Sequence, residues 1–149
     1  MTLAWTLRPF AVLSVPELYA LLQLRSAVFV VEQTCAFQDI DGHDVDAHHL
    51  LGRTEAGELV AYARLFPAGR SYPEASIGRV AVALAFRRYG LGQELMREAL
   101  ARCVAQWGPQ PIQIVAQLYL REFYRSFGFE QVGAVYLEDD IEHIHMLRP

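Results

Sequence analysis

"AFRRYGLGQEL", residues 85–95, is the stretch on which the fold of this chain turns. It follows the apolar, β-branched run "SIGRVAVA" (76–83) and leads into a segment of helical period. It therefore joins a strand to a helix N-terminus. The first turn of a helix carries free N–H groups and the positive end of the dipole, so anions bind there. Gly90 and Gly92 let the backbone approach a phosphate with no Cβ between them. Arg87 and Arg88 add positive charge. Nucleotide fingerprints fail on this stretch: a dinucleotide-binding turn needs a third glycine where Leu95 stands, and there is no G-K-[ST]. Taken alone, a G-x-G at such a junction fits a tight, solvated basic turn as well as an anion site.

On the C-terminal side, Leu91, Leu95, Met96, Ala99, Leu100, Cys103 and Val104 form one apolar helix face. Gln93, Glu94, Arg97, Glu98 and Arg102 form the wet one. Gly108 and Pro109 stop the helix. "PIQIVAQ" (111–117) reads as a strand and "LYLREFYRSFG" (118–128) as a short helix. "FEQVGAVYLEDD" and "IEHIHMLR" read as a closing strand pair. On the N-terminal side, "LAWTLRPF" (3–10) is a first strand. "SVPELYALLQLRSAVFVVEQ" (14–33) reads as one helix, opened by a capping box of Ser14 and Glu17 with Pro16 in the first turn. Arg25 and Glu32 fall on the same side of it. "HHLLGRT" and "ELVAYARLFP" then give strand, turn, strand. The order predicts a mixed α/β fold, largely antiparallel in its first half, with a parallel pair in the middle.

A length of 149 residues predicts one domain, 1–149. With 53% hydrophobic and 20% charged residues the chain has ample material for a core, which argues against disorder. A net charge of -4 disfavours nucleic acid as a partner and suits a site that receives a cation such as an amine. Two cysteines, Cys35 and Cys103, and an N-terminus without a long apolar core point to a reducing cytoplasm. No apolar run is long enough to span a membrane.

The spacing Arg87-x-x-Gly90-x-Gly92 matches the [QR]-x-x-G-x-[GA] signature of the GNAT superfamily of acyl-CoA N-acyltransferases. "IGRVAV" resembles that family's central strand. "FYRSFGFE" resembles its Y-x-x-x-G-F segment, with Tyr124, Gly128 and Phe129 at the defining positions. "YALLQLRSAVFVVEQ", "QDIDG" and "YLEDDIEHIHM" resemble the ElaA-like branch, and the likeness covers nearly the whole chain. One departure lies in the tail, where Asp140 and Glu142 replace a glycine and a proline.

The resemblance implies a GNAT fold: a mixed, mostly antiparallel twisted sheet, helices on both faces, and a central parallel strand pair splayed apart at a bulge. It implies acetyl-CoA as cosubstrate, with no metal. The pantetheine arm lies along Val80, Ala81 and Val82, walled by Gln117 and Phe123, and a backbone N–H near Val82 meets the thioester carbonyl. The pyrophosphate lies on Arg87, Arg88, Tyr89, Gly90, Leu91 and Gly92. Direct transfer to a small-molecule or peptide amine follows, with no covalent enzyme intermediate and with Tyr124 as general acid. Many relatives pair as homodimers. A non-catalytic acyl-CoA-binding module on the same fold is the alternative, and an acid placed at the thiol argues against it.

For the general base, Glu32, His49, Glu138, Asp139 and His143 are all candidates, and none stands above the rest. The acidic loop with Asp39, Asp41, Asp44 and Asp46 reads most simply as solvated, and otherwise as a lure for a cationic acceptor. It lacks the full calcium-loop pattern and its closing glutamate. His48 and His49 beside it lack the further ligands of a zinc site.

Overall fold

The computed structural model describes residues 1–149. Along the chain run β1 (Ala4–Pro9), α1 (Val15–Arg25), β2 (His48–Arg53), β3 (Leu59–Phe66) and β4 (Ala75–Val82). After them come α2 (Leu91–Trp107), β5 (Ile112–Gln117), α3 (Arg121–Arg125), β6 (Glu130–Glu138) and β7 (Ile141–Arg148). The strands form one seven-stranded sheet in the order β1-β2-β3-β4-β5-β7-β6. Every neighbouring pair is antiparallel except β4 and β5. A parallel pair needs a long crossover, and α2 supplies it.

That parallel pair is short. β4 and β5 meet only at Ala75↔Ile112 and Ser76↔Gln113, and beyond Ser76 they part. The cause lies on the other edge of β4. Tyr62 of β3 stands opposite Ala81 and Arg64 opposite Gly78, so Arg79 and Val80 together oppose Ala63 alone. Such a bulge bends its strand. Arg79 takes a left-handed φ of 50° to make it.

The helices pack on both faces. Leu91, Leu95, Met96, Ala99 and Cys103 of α2 pack with Ile77, Ile112, Ile114, Ile144 and Met146. Val104, expected on this apolar face, is 43% exposed, because it lies at the stripe's edge. On the opposite face Leu21, Leu24 and Val28 pack on Leu51, Tyr62 and Ala81. The capping box is present: Ser14 Oγ accepts from the Glu17 N–H at 3.1 Å and Glu17 Oε1 from the Ser14 N–H at 2.8 Å. The helix expected over 14–33 is not uniform. It is α-helical to Arg25 and widens into a π-helical turn over Ser26–Glu32. The wider turn breaks the α-helical spacing, so Arg25 is buried while Glu32 is exposed. The helix expected over 118–128 is likewise shorter, a 3-10 turn at Leu118–Leu120 followed by α3. In the β6–β7 turn, Asp139 and Asp140 both have positive φ, 51° and 62°. That is the two-residue hairpin conformation, taken here without the usual glycine.

Of the acidic loop, Asp46 is exposed and pairs with Arg70 at 2.8 Å, while Asp39, Asp41 and Asp44 are turned into a network of arginines. Arg25, fully buried, donates to Asp39 at 3.0 Å and to Asp44 at 2.7 Å. Arg64 grips Asp41 with two bonds of 2.9 Å and reaches Asp44 at 3.0 Å. Arg79 donates to Asp39 at 2.8 Å. His49, also fully buried, is held between the Tyr62 hydroxyl at 2.6 Å and the Asp44 carbonyl at 2.9 Å. A carbonyl only accepts, so Nε2 carries the proton and Nδ1 accepts from Tyr62. Both ring nitrogens are used and the ring is out of reach of a substrate, which removes His49 from the candidate bases.

This network makes the fold acid-labile. Burial by itself raises the pKa values of Asp41 and Asp44, but the hydrogen bonds and charges of their arginines outweigh it and pull both below the ordinary carboxylate value. Burial lowers the His49 pKa. In each case the unfolded chain takes up a proton before the folded chain does, so stability falls as pH falls. The histidine contribution starts to go below about pH 6.5 and the carboxylate contribution below about pH 4. We expect the melting temperature to decline gently from pH 7 to 5 and steeply below about 4. A calorimetric pH series checks this, and a flat profile down to pH 3 would show that the network adds no stability.

Candidate active site

The parting of β4 and β5 opens a cleft of about 760 Å³ that reaches from the α2 N-terminus to the β6–β7 turn. Its residues come from the π-helical turn, β4, the turn before α2, β5, α3 and the closing hairpin. Past Ser76, the backbone groups of β4 on the β5 side have no partner strand. Val80, Ala81 and Val82 line the cleft along that free edge.

At one end stands the glycine turn. Gly90 caps α2 with φ 71°, and no side chain caps the helix. The first four N–H groups of an α-helix have no partner within it, and residues 90–93 all line the cleft. A Cβ built on Gly90 would meet nothing within 4 Å, and one on Gly92 only Phe123, at 3.8 Å. Unpaired donors, open space and the positive helix end suit a pyrophosphate. Arg87 and Arg88 line the cleft as well, and Arg88 has φ 74°. Tyr89 does not line it; its side chain is exposed.

Arg87 is engaged. Its Nη1 and Nη2 donate to Glu32 at 2.5 and 2.7 Å, and its Nε donates to the Val82 carbonyl at 3.1 Å. The π-helical turn is thereby tied to the turn before α2. Glu32 is half of an ion pair rather than a free base. A second tie crosses the cleft, from Gln117 Nε2 to Gln33 Oε1 at 3.1 Å.

Tyr124 sits in the α2-side wall, packed edge-on against Phe123 and Phe129. Its hydroxyl has no hydrogen-bond partner in the protein, yet it is not sealed from the cleft. Burial, with a smaller push from Tyr119, raises its pKa to about 12. It therefore holds its proton throughout the physiological range.

At the far end lie Glu138, Asp139, Ile141 and His143. His143 stands opposite Gln117 across the β5–β7 ladder. Its Nδ1 lies 2.7 Å from the Ile141 carbonyl and must donate to it. This leaves Nε2 with the lone pair, 3.8 Å from Glu138 Oε2. Of the five candidate bases, His143, Glu138 and Asp139 thus share the far end, Glu32 is paired, and His49 is elsewhere. Arg64, Arg79, Phe37, Phe66, Tyr72 and Cys35 also line the cleft and were not among the site residues expected from sequence. Their separation along the chain hides them; only the alternation of β3 hinted that Arg64 and Phe66 share a face.

The shape and chemistry of the cleft define a class, and comparison with known proteins agrees. A family model for the acetyltransferase (GNAT) domain matches residues 25–148. The chain belongs to the GNAT family of acyltransferases, which draw on acyl-CoA. Within that family its likeness is to ElaA of Escherichia coli K12, 51% identical over 138 residues, covering 91% of this chain and 90% of ElaA. The crystal structure of Escherichia coli ElaA superposes with a TM-score of 0.92 at 47% identity, covering 99% of this chain and all of that one. An acyl-CoA N-acyltransferase from Pseudomonas aeruginosa superposes with a TM-score of 0.94 at 46% identity, with coverage of 99% and 100%. No helix is long and apolar enough to cross a membrane.

Proposed function

We propose that this chain, as a single domain over 1–149, moves an acetyl group from acetyl-CoA directly to a primary amine in a ternary complex. The observation that carries the reading is the row of uncapped N–H groups at the α2 N-terminus, open to a cleft that continues between two parted strands. Acetyl-CoA, when bound, supplies an acyl carbon activated as a thioester. Arg87, Arg88 and the backbone from Tyr89 through Gly92 hold its pyrophosphate. The free edge of Val80–Val82 holds the pantetheine arm, with Gln117 and Phe123 as walls. A backbone N–H near Val82 donates to the thioester oxygen as it gains charge.

The protons are handled by two side chains. A protonated amine has no lone pair with which to attack, so His143 Nε2 takes its proton. Glu138 at 3.8 Å steadies the imidazolium that results. Tyr124 donates its hydroxyl proton to the sulfur as the C–S bond breaks. A group with a pKa pushed to about 12 is protonated at pH 7, so it acts as the acid and not as the base. No cysteine nucleophile is needed: Cys103 is buried with its thiol pKa pushed up to about 12. The two free thiols suit a reducing cytoplasm.

A thermal melt with acetyl-CoA, with ATP and NAD as controls, tests the reading. A ligand at about a hundred times its dissociation constant adds roughly 2.7 kcal/mol. For a chain of this size that raises the melting temperature by about 5–10 °C. A rise with acetyl-CoA alone, followed by amine-dependent thiol release, is the expected result. No rise, or a rise with ATP, would overturn it.

A further inference from the structure

At the end of the cleft away from the α2 N-terminus, two sides of opposite charge face each other. On the β3–β4 side stand Arg64 and Arg79; on the β6–β7 side stand Glu138, Asp139 and His143. One strand, β5, lies between β4 and β7. Beyond Ser76 β5 has parted from β4, so the two sides face each other across the open cleft that both of them line.

The arginine side holds donors without acceptors. Arg64 is 92% buried in its side chain, and its Nε is sealed from solvent with no hydrogen-bond partner. Buried donors are ordinarily paired. Arg79 uses Nε and Nη2 on Asp39 and Asp41, while its Nη1 has no acceptor. Both carboxylate oxygens of Asp39 and of Asp41 already accept bonds, so neither has an oxygen to spare. Arg79 is also the exposed margin of the network: its side chain is 23% accessible, against 0% for Arg25 and 8% for Arg64. Its place is fixed by the left-handed bulge that parts β4 from β5, one residue before the free edge at Val80. A planar guanidinium with a spare N–H, held rigid by two aspartates, is suited to a carboxylate.

We infer that the acceptor is a zwitterion, an amine carrying a carboxylate as in an amino acid: Arg79 Nη1 receives the carboxylate, and the side with His143 and Glu138 receives the amine. The inference rests on the acyl-transfer reading above and narrows its substrate. Arginines on one side and acids on the other complement a molecule with both charges. A simple diamine would set a cation against the arginines, and an amine without a carboxylate would leave Arg79 Nη1 without an acceptor.

The test is thiol release from acetyl-CoA with matched acceptors: phenylalanine, phenylalanine amide and phenethylamine, then histidine, histidine amide and histamine. The amide has the most readily deprotonated amine of each set, so it separates carboxylate recognition from amine basicity. We expect kcat/KM for the acid to exceed that for its amide and amine by about tenfold or more, chiefly through KM, as for one charge-assisted hydrogen bond. Arg79→Lys keeps a cation beside Asp39 and Asp41 but loses the planar guanidinium and with it the Nη1 group. It should raise KM for the acids about tenfold and narrow the gap between acid and amide. An acetyl-CoA melt shift on the variant shows that it is folded. Amides or amines turned over as well as the acids would overturn the inference. So would no turnover and no stabilisation by any acid while acetyl-CoA still raises the melting temperature, which leaves the acyl-transfer reading standing. If acetyl-CoA itself gives no shift, the failure is that of the parent reading, and the acceptor inference falls with it.

Discussion

Gly90→Glu is expected to cut acetyl-CoA affinity by about a thousandfold while leaving a folded chain. The substitution puts a negative charge where the uncapped N–H groups of α2 meet the cleft. Two like charges about 4 Å apart repel by about 4 kcal/mol at an effective dielectric constant of 20, close to three decades in a dissociation constant. The new side chain also competes for the same N–H donors. The cost to folding is smaller. No atom lies within 4 Å of a Cβ at this position, so nothing clashes. What remains is the left-handed φ of 71°, which costs a side-chain-bearing residue about 1–2 kcal/mol. Gly90→Ala carries the same backbone penalty without the charge and should keep most of the affinity. Isothermal titration on both variants, beside circular dichroism melts, reads the difference. Binding of wild-type strength by Gly90→Glu would place the pyrophosphate elsewhere.

The glycine turn was legible because its meaning is local. A strand, two glycines and a helix start lie within a few residues, and their physics needs no distant partner. The same holds for the capping box at Ser14 and Glu17 and for the apolar stripe of α2, whose register follows from helical period alone. The acidic loop was not legible, and the reason is distance along the chain. Asp39 meets Arg25 14 residues away and Arg79 40 residues away. Nothing near Asp39 in the sequence announces a buried guanidinium, so a run of carboxylates reads as wet. His49 was misread for a related reason: strand alternation tells which face a residue takes, not how deeply that face is covered. The widening of α1 into a π-helical turn is hidden too, since nothing in the run Ser26–Glu32 marks a wider period and the period shifts only once the helix is packed. That turn positions Glu32 against Arg87, and so the state of a candidate base came from packing, not pattern.

Within the cleft, sequence resemblance named Tyr124, and we propose it as the general acid. Tyr124→Phe should lower kcat by about a hundredfold to ten-thousandfold, the usual range for a positioned general acid. Acetyl-CoA affinity should be nearly unchanged, because the ring, packed against Phe123 and Phe129, stays in place. Only the hydroxyl is lost, and it has no hydrogen bond in the protein for the fold to miss. Structural damage and chemical damage therefore separate in this variant: a falling melting temperature would signal the first, a falling kcat alone the second. The pH profile adds a sharper distinction. With its pKa raised to about 12 by burial, Tyr124 does not titrate between pH 6 and 9. An acid that stays protonated contributes equally at every pH in that window, so Tyr124→Phe should shift the whole kcat profile downward without moving its ascending limb. That limb belongs to the group that takes the amine proton. If the limb moved with Tyr124→Phe, the phenol would be part of the base; if kcat did not fall at all, the leaving thiolate would be protonated by water, and Tyr124 would only be a wall of the cleft.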